Sequence, residues 1–196
     1  TLVVCEHASN VVPRALDGLG LASDTLESHI TWDPGALPLA RGLADALSAP
    51  LVYGGISRLV YDSNRPPEAP SAIPDRSEVF DIPGNARLTM AERQARADAV
   101  YHPFRRRLAQ EIAAHRATLR LLITVHSFTP VFHGALRRTE IGVLHGRDTR
   151  FALAMMASTP DPSPYAIELN APYRAADGVA HTLDDHGAAN DLPSVM

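Results

Sequence analysis

Leu119-Arg120-Leu121-Leu122-Ile123-Thr124-Val125 is the most apolar run of the chain, and it ends in His126-Ser127-Phe128-Thr129-Pro130. A short apolar run of this kind is typical of a central strand that is buried on both faces. In open α/β sheets, ligands bind at the carboxyl ends of the strands. His126 is therefore a candidate metal ligand or acid–base group at the edge of such a sheet.

Segments with the character of strands and helices lie on both sides of this run. Short apolar or alternating patterns predict further strands at 2–5, 51–55, 58–61, 139–144 and 165–169. Apolar side chains at the helical period predict helices at 36–47, 89–112 and 148–157. In the second helix we expect Met90 on the buried side and a kink or a split at Pro103, because proline lacks the N–H that a helix interior needs.

The predicted strand at 58–61 runs into Asp62-Ser63-Asn64-Arg65, and Pro66 and Pro67 forbid its continuation in a sheet. At the end of such a strand, Asn64 and Arg65 would offer an amide and a guanidinium fork, which suit a carboxylate. The residues alone leave an alternative open. In that alternative the segment is a turn in which Asp62 caps a loop and pairs with Arg65.

Potential metal ligands also occur near the start of the chain. Glu6 and His7 follow the strand at 2–5, and His29 and Asp33 lie four residues apart before the helix at 36–47. Asp33 has a competing interpretation as the N-cap of that helix, with Pro34 at its first position.

The length, charge and residue composition of the chain exclude several classes of function. The 196 residues fit one domain, and the formal net charge of -4 argues against nucleic acid or anionic membranes as partners. All 18 basic residues are arginines, so Schiff-base lysine chemistry and a P-loop lysine are excluded. No apolar run is long enough to predict a membrane span.

Cys5 is the only cysteine, so no internal disulfide can form and a cytoplasmic location is the expectation. Its place within an apolar run favours a buried, inert thiol over a catalytic one. The chain begins without methionine and ends in an apolar run at 192–196, from which we expect a domain truncated at both ends.

Six motifs occur in an order that resembles the N-formylglutamate amidohydrolase family over essentially the whole chain. They are Glu6-His7-Ala8-Ser9-Asn10, His29-Ile30-Thr31-Trp32-Asp33-Pro34-Gly35-Ala36, Ser57-Arg58 with Asp62-Ser63-Asn64-Arg65-Pro66, Val125-His126-Ser127-Phe128, Asn170-Ala171-Pro172-Tyr173 and Thr182-Leu183-Asp184-Asp185-His186-Gly187. That family is similar to the zinc carboxypeptidases and aspartoacylases. The resemblance implies a single hydrolase domain over 1–196, with a three-layer α/β/α fold around a central mixed, mostly parallel sheet.

The resemblance also implies roles for individual residues. Asn64 and Arg65 match a clamp for the substrate carboxylate, and Arg58 matches an arginine that polarises the scissile carbonyl. His7 and His126 match the first and last metal ligands, and we expect them at the ends of neighbouring parallel strands.

The third metal ligand departs from the pattern of the relatives. They carry a glutamate three residues after the first histidine, where this chain has Asn10, and a neutral amide is a poor zinc ligand. We therefore choose Asp33 as the third ligand, with Glu6 and His29 as rivals.

The general base departs as well. In the relatives it is a glutamate on a late strand, and the matching position would fall just after Met196. Glu168 is the only late-strand glutamate in this chain and is the predicted base, although its position before Asn170 matches the family poorly.

The predicted function is hydrolysis of the amide bond of N-formyl-L-glutamate or a related N-acyl amino acid, with Zn²⁺ or another divalent metal as cofactor. One alternative is a carboxylate-binding protein of the same fold that lacks catalysis. Another is a cysteine or serine hydrolase that uses Cys5 or Ser127, although neither lies in a recognisable nucleophile turn. The expected partner is a small-molecule substrate, with neither nucleic acid nor membrane.

Overall fold

A computed structural model describes all 196 residues, Thr1–Met196. The strands are β1 (Leu2–Cys5), β2 (Leu51–Tyr53), β3 (Arg76–Ser77), β4 (Phe80–Asp81), β5 (Leu122–Thr124), β6 (Val131–Phe132), β7 (Ala135–Leu136), β8 (Ile141–Val143), β9 (Ile167–Leu169) and β10 (Ser194–Val195). The α-helices are α1 (Ser23–Glu27), α2 (Ala36–Ala46), α3 (Met90–Arg96), α4 (His102–Ala114) and α5 (Arg150–Ala157). None of these helices combines the length and the apolar character needed to cross a membrane.

The centre of the fold is a parallel sheet with the strand order β10-β5-β1-β2. Val4 of β1 lies opposite Val52 on one side and Thr124 on the other. Because β1 and β5 are parallel neighbours, the residues that follow them emerge at the same edge, which we call the carboxyl edge. The predicted adjacency of the strands that precede His7 and His126 is confirmed.

A second, two-stranded sheet lies beside β10 and is joined to the end of the chain by one pair of residues. β8 and β9 form a parallel pair, and Leu144 and Met196 exchange both backbone hydrogen bonds at 2.9 Å. A reciprocal exchange between two residues is the pattern of an antiparallel pair. The predicted mixed, mostly parallel sheet is therefore confirmed.

Helices cover the sheet on both faces because the strand residues alternate between two apolar clusters. Leu2 and Val4 pack with Leu108 and Ile112 of α4. Val3 and Cys5 pack on the opposite face with the small side chains of α2, namely Ala36, Ala40 and Ala44. Ala152 of α5 extends that second layer over Val143 and Val195. The three-layer α/β/α fold class is confirmed.

The strand predicted at 58–61 is wrong, since the segment is a turn. Ser57 closes it locally: the Ser57 carbonyl accepts from the N–H of Val60 at 3.0 Å, and the Ser57 hydroxyl accepts from the N–H of Leu59 at 3.2 Å. Leu59, Val60 and Tyr61 are all buried, whereas a half-buried strand would alternate. The turn places Asp62 beneath His7.

The helix predicted at 89–112, with a kink or a split at Pro103, is divided into α3 and α4 by a π-helical turn at Ala97–Tyr101. The widened turn ends two residues before Pro103, which lacks the N–H that a continuous α-helix would need there. Thr89 caps α3 in a capping box with Glu92. Met90 is 83% exposed because it lies in the first turn, outside the packed stripe, so its predicted burial is wrong.

Candidate metal centre

Three side chains meet at the carboxyl edge of the sheet. His7 follows β1, His126 follows β5, and Asp33 comes from the loop before α2, held by its N–H to the carbonyl of His7 at 2.9 Å. One donor atom from each residue can be chosen so that all lie within 4.8 Å of one another. We call these three residues the histidine–aspartate cluster.

Asp33 is at the centre of this cluster and does not cap α2. The N-cap is Gly35, in a left-handed conformation at φ 82°, and it makes no side-chain capping bond. Asp33 Oδ2 lies 2.9 Å from His126 Nδ1 and 3.4 Å from His7 Nδ1. Burial raises the pKa of the Asp33 carboxyl, but the two histidines outweigh burial and hold that pKa well below its usual value.

His126 shows how strongly the site favours a positive charge. Burial lowers the pKa of its ring, but the carboxylates of Glu6 and Asp33 outweigh burial and raise the pKa to about 10. Two imidazoles and one carboxylate also form a common ligand set of catalytic zinc sites. The residues present therefore fit a divalent metal.

Asp62 and Arg58 surround the cluster. Asp62 Oδ1 accepts from His7 Nε2 at 2.7 Å and from the N–H of Asn64 at 2.9 Å. Arg58 donates to Asp62 Oδ2 at 3.1 Å and to Asp33 Oδ1 at 3.2 Å. Burial raises the pKa of Asp62, but His7 and Arg58 outweigh burial and lower it far below its usual value. The alternative for this segment is confirmed in its turn and in the capping role of Asp62, but the Asp62 carboxylate pairs with His7 and Arg58 rather than with Arg65.

Asn64 and Arg65 both line the cavity next to the cluster, but their side chains are used differently. The Asn64 carboxamide is buried, donates to the carbonyl of Val179 and accepts from the N–H of Thr182. It thereby fixes the segment 179–182 against the site. Arg65 donates through Nη1 alone, to the carbonyls of Asn64 at 3.0 Å and Gly178 at 2.6 Å. Its Nε and Nη2 make no hydrogen bond within the protein.

The cavity has a volume of about 400 Å³ and two unlike walls. His7, Asp33, His126, Arg58 and Arg65 form a polar wall. The opposite wall is apolar, and includes Leu39, Leu43, Ile141, Val143, Met155 and Val195. Such a space accommodates a small organic anion with its charged end at the arginines.

Glu168, the predicted base, does not reach this cavity. It is exposed on β9, and its carboxylate accepts from the hydroxyl of Thr139. The neighbouring strand residues Ile167 and Leu169 pack toward α5, so the alternation of the strand directs Glu168 to the other face. The expectation that Glu168 joins the other site residues is not met.

The two rival ligands are also outside the cluster. His29 pairs with Glu78 at 2.8 Å in a partly exposed position. Glu6 lies behind His126, with its Oε2 at 3.2 Å from Nε2, the ring nitrogen farther from Asp33. Neither carboxylate oxygen of Glu6 has a hydrogen-bond partner, although the residue is only 1% exposed.

The alternative nucleophiles are poorly placed. Cys5 is buried in the sheet, and burial together with the nearby Glu6 raises the pKa of its thiol far above the usual value. Ser127 contributes its backbone N–H to Asp33 Oδ2 at 3.3 Å. Neither residue is arranged as an activated nucleophile with a general base.

Sequence reasoning missed the place of Asp62 and Glu6 beside the histidines. Glu6 directly precedes His7, and Asp62 opens the motif that contains Asn64 and Arg65, so both lay within motifs already singled out. A pattern of residues does not show which ring nitrogen a distant carboxylate will face.

The fold and the site together define a class: an α/β protein with a candidate metal centre beside a cavity at the carboxyl edge of its sheet. Comparison then identifies the family. The family model described as N-formylglutamate amidohydrolase matches residues 1–196, and the chain belongs to this family. The resemblance drawn from the motifs is confirmed.

A solved structure is closely similar to this one. It is the crystal structure of gene product Atu2144 from Agrobacterium tumefaciens, with a TM-score of 0.96 and 50% sequence identity. The match covers 100% of this chain and 78% of that chain. Comparison with curated proteins gave no match.

Proposed function

We propose that this chain hydrolyses the amide bond of N-formyl-L-glutamate, or of a related N-acyl amino acid, in a metal-dependent reaction. The observation that carries the proposal is the histidine–aspartate cluster, whose donor atoms lie within 4.8 Å of one another beside a cavity. Membership of the N-formylglutamate amidohydrolase family supports the reaction type.

His7, Asp33 and His126 would hold the metal, for which we propose Zn²⁺ because it favours imidazole and carboxylate ligands in this number. A divalent metal so held supplies Lewis acidity and lowers the pKa of a bound water to about 7, where that water can attack an amide. All three residues line the cavity, and three is the number of protein ligands that catalytic zinc sites provide.

Arg65 would hold the carboxylate of the amino-acid part of the substrate. The edge of its guanidinium formed by Nε and Nη2 has no partner within the protein, while Nη1 is anchored on the carbonyls of Asn64 and Gly178. An anchored fork with one free edge is suited to a bidentate carboxylate pair. Asn64 would support this clamp by fixing the segment 179–182.

Arg58 would stabilise the negative charge that develops on the amide oxygen. It contacts Asp33 and Asp62 and is still partly exposed to the cavity, with 31% of its side chain accessible. Burial lowers the pKa of Arg58, but the two aspartates outweigh burial and raise it, so the guanidinium stays charged. One such donor contributes on the order of 3 kcal/mol to catalysis.

The alternative is a carboxylate-binding protein of the same fold that lacks catalysis. The observation that favours it is the position of Glu168, which lies away from the cavity and is unable to accept a proton there.

Release of formate from N-formyl-L-glutamate tests the proposal. The purified chain is stripped with a chelator, and formate is measured with and without added Zn²⁺. We expect turnover only with the metal, and none in His126→Ala. Undiminished turnover by the stripped protein would contradict metal dependence. Saturable binding in calorimetry without turnover would instead support the alternative, and neither binding nor turnover would contradict both.

A further inference from the structure

We propose that Asp62 and Glu6 are positioning residues that hold His7 and His126 by their Nε2 atoms, so that both rings present Nδ1 to one metal ion. This inference rests on the metal site of the proposed function and extends it. It assigns a task to two buried carboxylates that the reaction itself does not use.

The geometry around His7 is the first observation. Its Nε2 lies 2.7 Å from Asp62 Oδ1, whereas its Nδ1 faces Asp33 Oδ2 at 3.4 Å. Asp62 is itself fixed, because it also accepts from Arg58 and from the N–H of Asn64. The His7 ring is therefore held from behind by a rigid acceptor.

His126 repeats the arrangement from the neighbouring strand. Its Nδ1 faces the same oxygen of Asp33 at 2.9 Å, and its Nε2 is 3.2 Å from Glu6 Oε2. The two rings meet edge to face, with centroids 4.8 Å apart. Both Nδ1 atoms thus converge on Asp33, and both Nε2 atoms face a buried carboxylate.

Glu6 is otherwise an unexplained feature of the core. It is 1% exposed, and neither of its oxygens has a hydrogen-bond partner. Burying a carboxylate without a partner is strongly unfavourable, so such a group persists only where a nearby cation or donor compensates. Nε2 of His126 is likewise buried without a hydrogen-bond partner and lies 3.2 Å from Glu6 Oε2, so its N–H is a donor within reach of this carboxylate.

Protonation chemistry connects this geometry to metal binding. A neutral imidazole carries one proton, and a carboxylate at Nε2 keeps the proton on that atom. The lone pair then stays on Nδ1, where the metal would be held. Glu6 cannot serve as a ligand at the same centre, because the ring of His126 lies between it and Asp33.

Nitrogen-15 NMR of the histidine rings in the Zn²⁺-loaded protein tests the inference directly. We expect His7 and His126 to carry the proton on Nε2 and to bind Zn²⁺ through Nδ1. Coordination of either ring through Nε2 would overturn the inference. This measurement needs no substitution, so it does not depend on whether a variant folds.

A second test measures Zn²⁺ affinity by competition with a chromophoric chelator. Loss of an outer carboxylate partner typically weakens metal binding by about 10- to 100-fold, and we expect that loss in Glu6→Gln and in Asp62→Asn. Thr124→Val is the matched control, since its hydroxyl is also buried without a partner and forms no hydrogen bond with either ring. We expect its affinity to be unchanged, and in Glu6→Asp a shortened carboxylate should recover part of the lost affinity.

The outcomes separate this inference from the proposed function. If the unsubstituted chain binds Zn²⁺ but folded Glu6→Gln and Asp62→Asn bind it equally well, the inference fails alone. An equal loss in Thr124→Val would also overturn it, because the effect would then be general to the core. If the unsubstituted chain binds no Zn²⁺, the metal site of the proposed function fails and the inference fails with it.

Discussion

Arg65 connects the turn that follows Asp62 to the segment around Gly178, and it does so with a single nitrogen. Its Nη1 holds two backbone carbonyls, and the rest of the fork stays unpaired at the cavity. Nη1 thus fixes the side chain of Arg65, while its Nε and Nη2 remain available to bind an anion. Loss of this side chain should therefore weaken substrate binding without disturbing the metal centre.

In Arg65→Ala we expect a loss in kcat/KM of about 30- to 1,000-fold, since a charge-assisted pair in a partly desolvated pocket contributes roughly 2–4 kcal/mol. Steady-state hydrolysis of N-formyl-L-glutamate measures it. Arg65→Lys should recover little because an ammonium lacks the planar fork. The Zn²⁺ content of both variants should match that of the unsubstituted chain.

The substrate offers a matched control for Arg65. An N-acyl amino acid whose α-carboxylate is replaced by a carboxamide should be a poor substrate for the unsubstituted chain and should lose little more in Arg65→Ala. Equal rates on the acid and the carboxamide would contradict the clamp.

Substitution of Glu168, in contrast to that of Arg65, should leave the hydrolysis rate almost unchanged. Because its carboxylate is exposed and bonded to Thr139, Glu168→Gln should keep its hydrolysis rate within about twofold, as surface substitutions away from a site usually have small effects. Formate release measured beside the unsubstituted chain is the check. A loss of a hundredfold or more, with the fold intact, would show that Glu168 acts in the reaction after all.

Much of the candidate site follows from positions at strand ends. His7 and His126 could be placed together because each follows an apolar run that predicts a parallel strand. Glu168 was misplaced because its strand belongs to the edge pair β8 and β9, and a period-two pattern does not say which face reaches the site. The contact between Asp62 and His7 depends on a turn whose path the local pattern did not reveal.

At the level of elements, Asn85 joins three parts of the fold beneath the site. It ends a short 3₁₀ helix, and its amide donates to the carbonyls of Leu59 at 2.8 Å and Pro74 at 2.7 Å. Its oxygen accepts from Arg96 of α3. Asn85 is 3% exposed, so these partners have no water to replace it. The turn at 58–61 is thereby tied to Pro74, in the segment before β3, and to α3.

We expect Asn85→Ala to lower the free energy of unfolding by about 2–4 kcal/mol, because it leaves the carbonyls of Leu59 and Pro74 without their amide donor and removes one acceptor of the Arg96 guanidinium. Denaturant unfolding measures the loss. Arg76→Ala is the control: its pair with Asp81 is exposed, and such pairs contribute about 0–1 kcal/mol. Equal destabilisation in the two variants would contradict the role assigned to Asn85.

The elements that could be predicted are those whose pattern agrees with their packing. α2 begins and ends close to the predicted bounds because its small side chains form one stripe against β1. The strand prediction at 58–61 was wrong because three consecutive buried residues can also belong to a turn that other elements enclose. Pro103 predicts that the helix is interrupted, but not that the interruption takes the form of a π-helical turn.

At the level of the whole molecule, the carboxyl edge of the sheet gathers Glu6, Asp33 and Asp62 around two histidines. A bound cation would offset this concentration of negative charge, so metal binding should stabilise the whole domain. At a free Zn²⁺ concentration one hundred times Kd, the stabilisation is about 2.7 kcal/mol.

Removing the metal should therefore lower Tm by roughly 5–10 °C for a domain of this size, since about 1 kcal/mol corresponds to roughly 2–4 °C. Differential scanning calorimetry with and without a chelator measures the shift. His126→Ala is the control, and its Tm should not respond to the chelator. A chelator response of equal size in His126→Ala would place the stabilising metal elsewhere in the molecule.

The metal content of His126→Ala, measured by elemental analysis after reconstitution with Zn²⁺ and removal of excess metal, tests the central claim most directly. The unsubstituted chain should hold close to one Zn²⁺ per chain. His29→Ala should hold the same, because His29 pairs with Glu78 outside the cluster. His126→Ala should retain less than about a tenth of it, since a site reduced to two protein ligands binds zinc weakly. Stoichiometric zinc in folded His126→Ala, or none in the unsubstituted chain, would contradict the account.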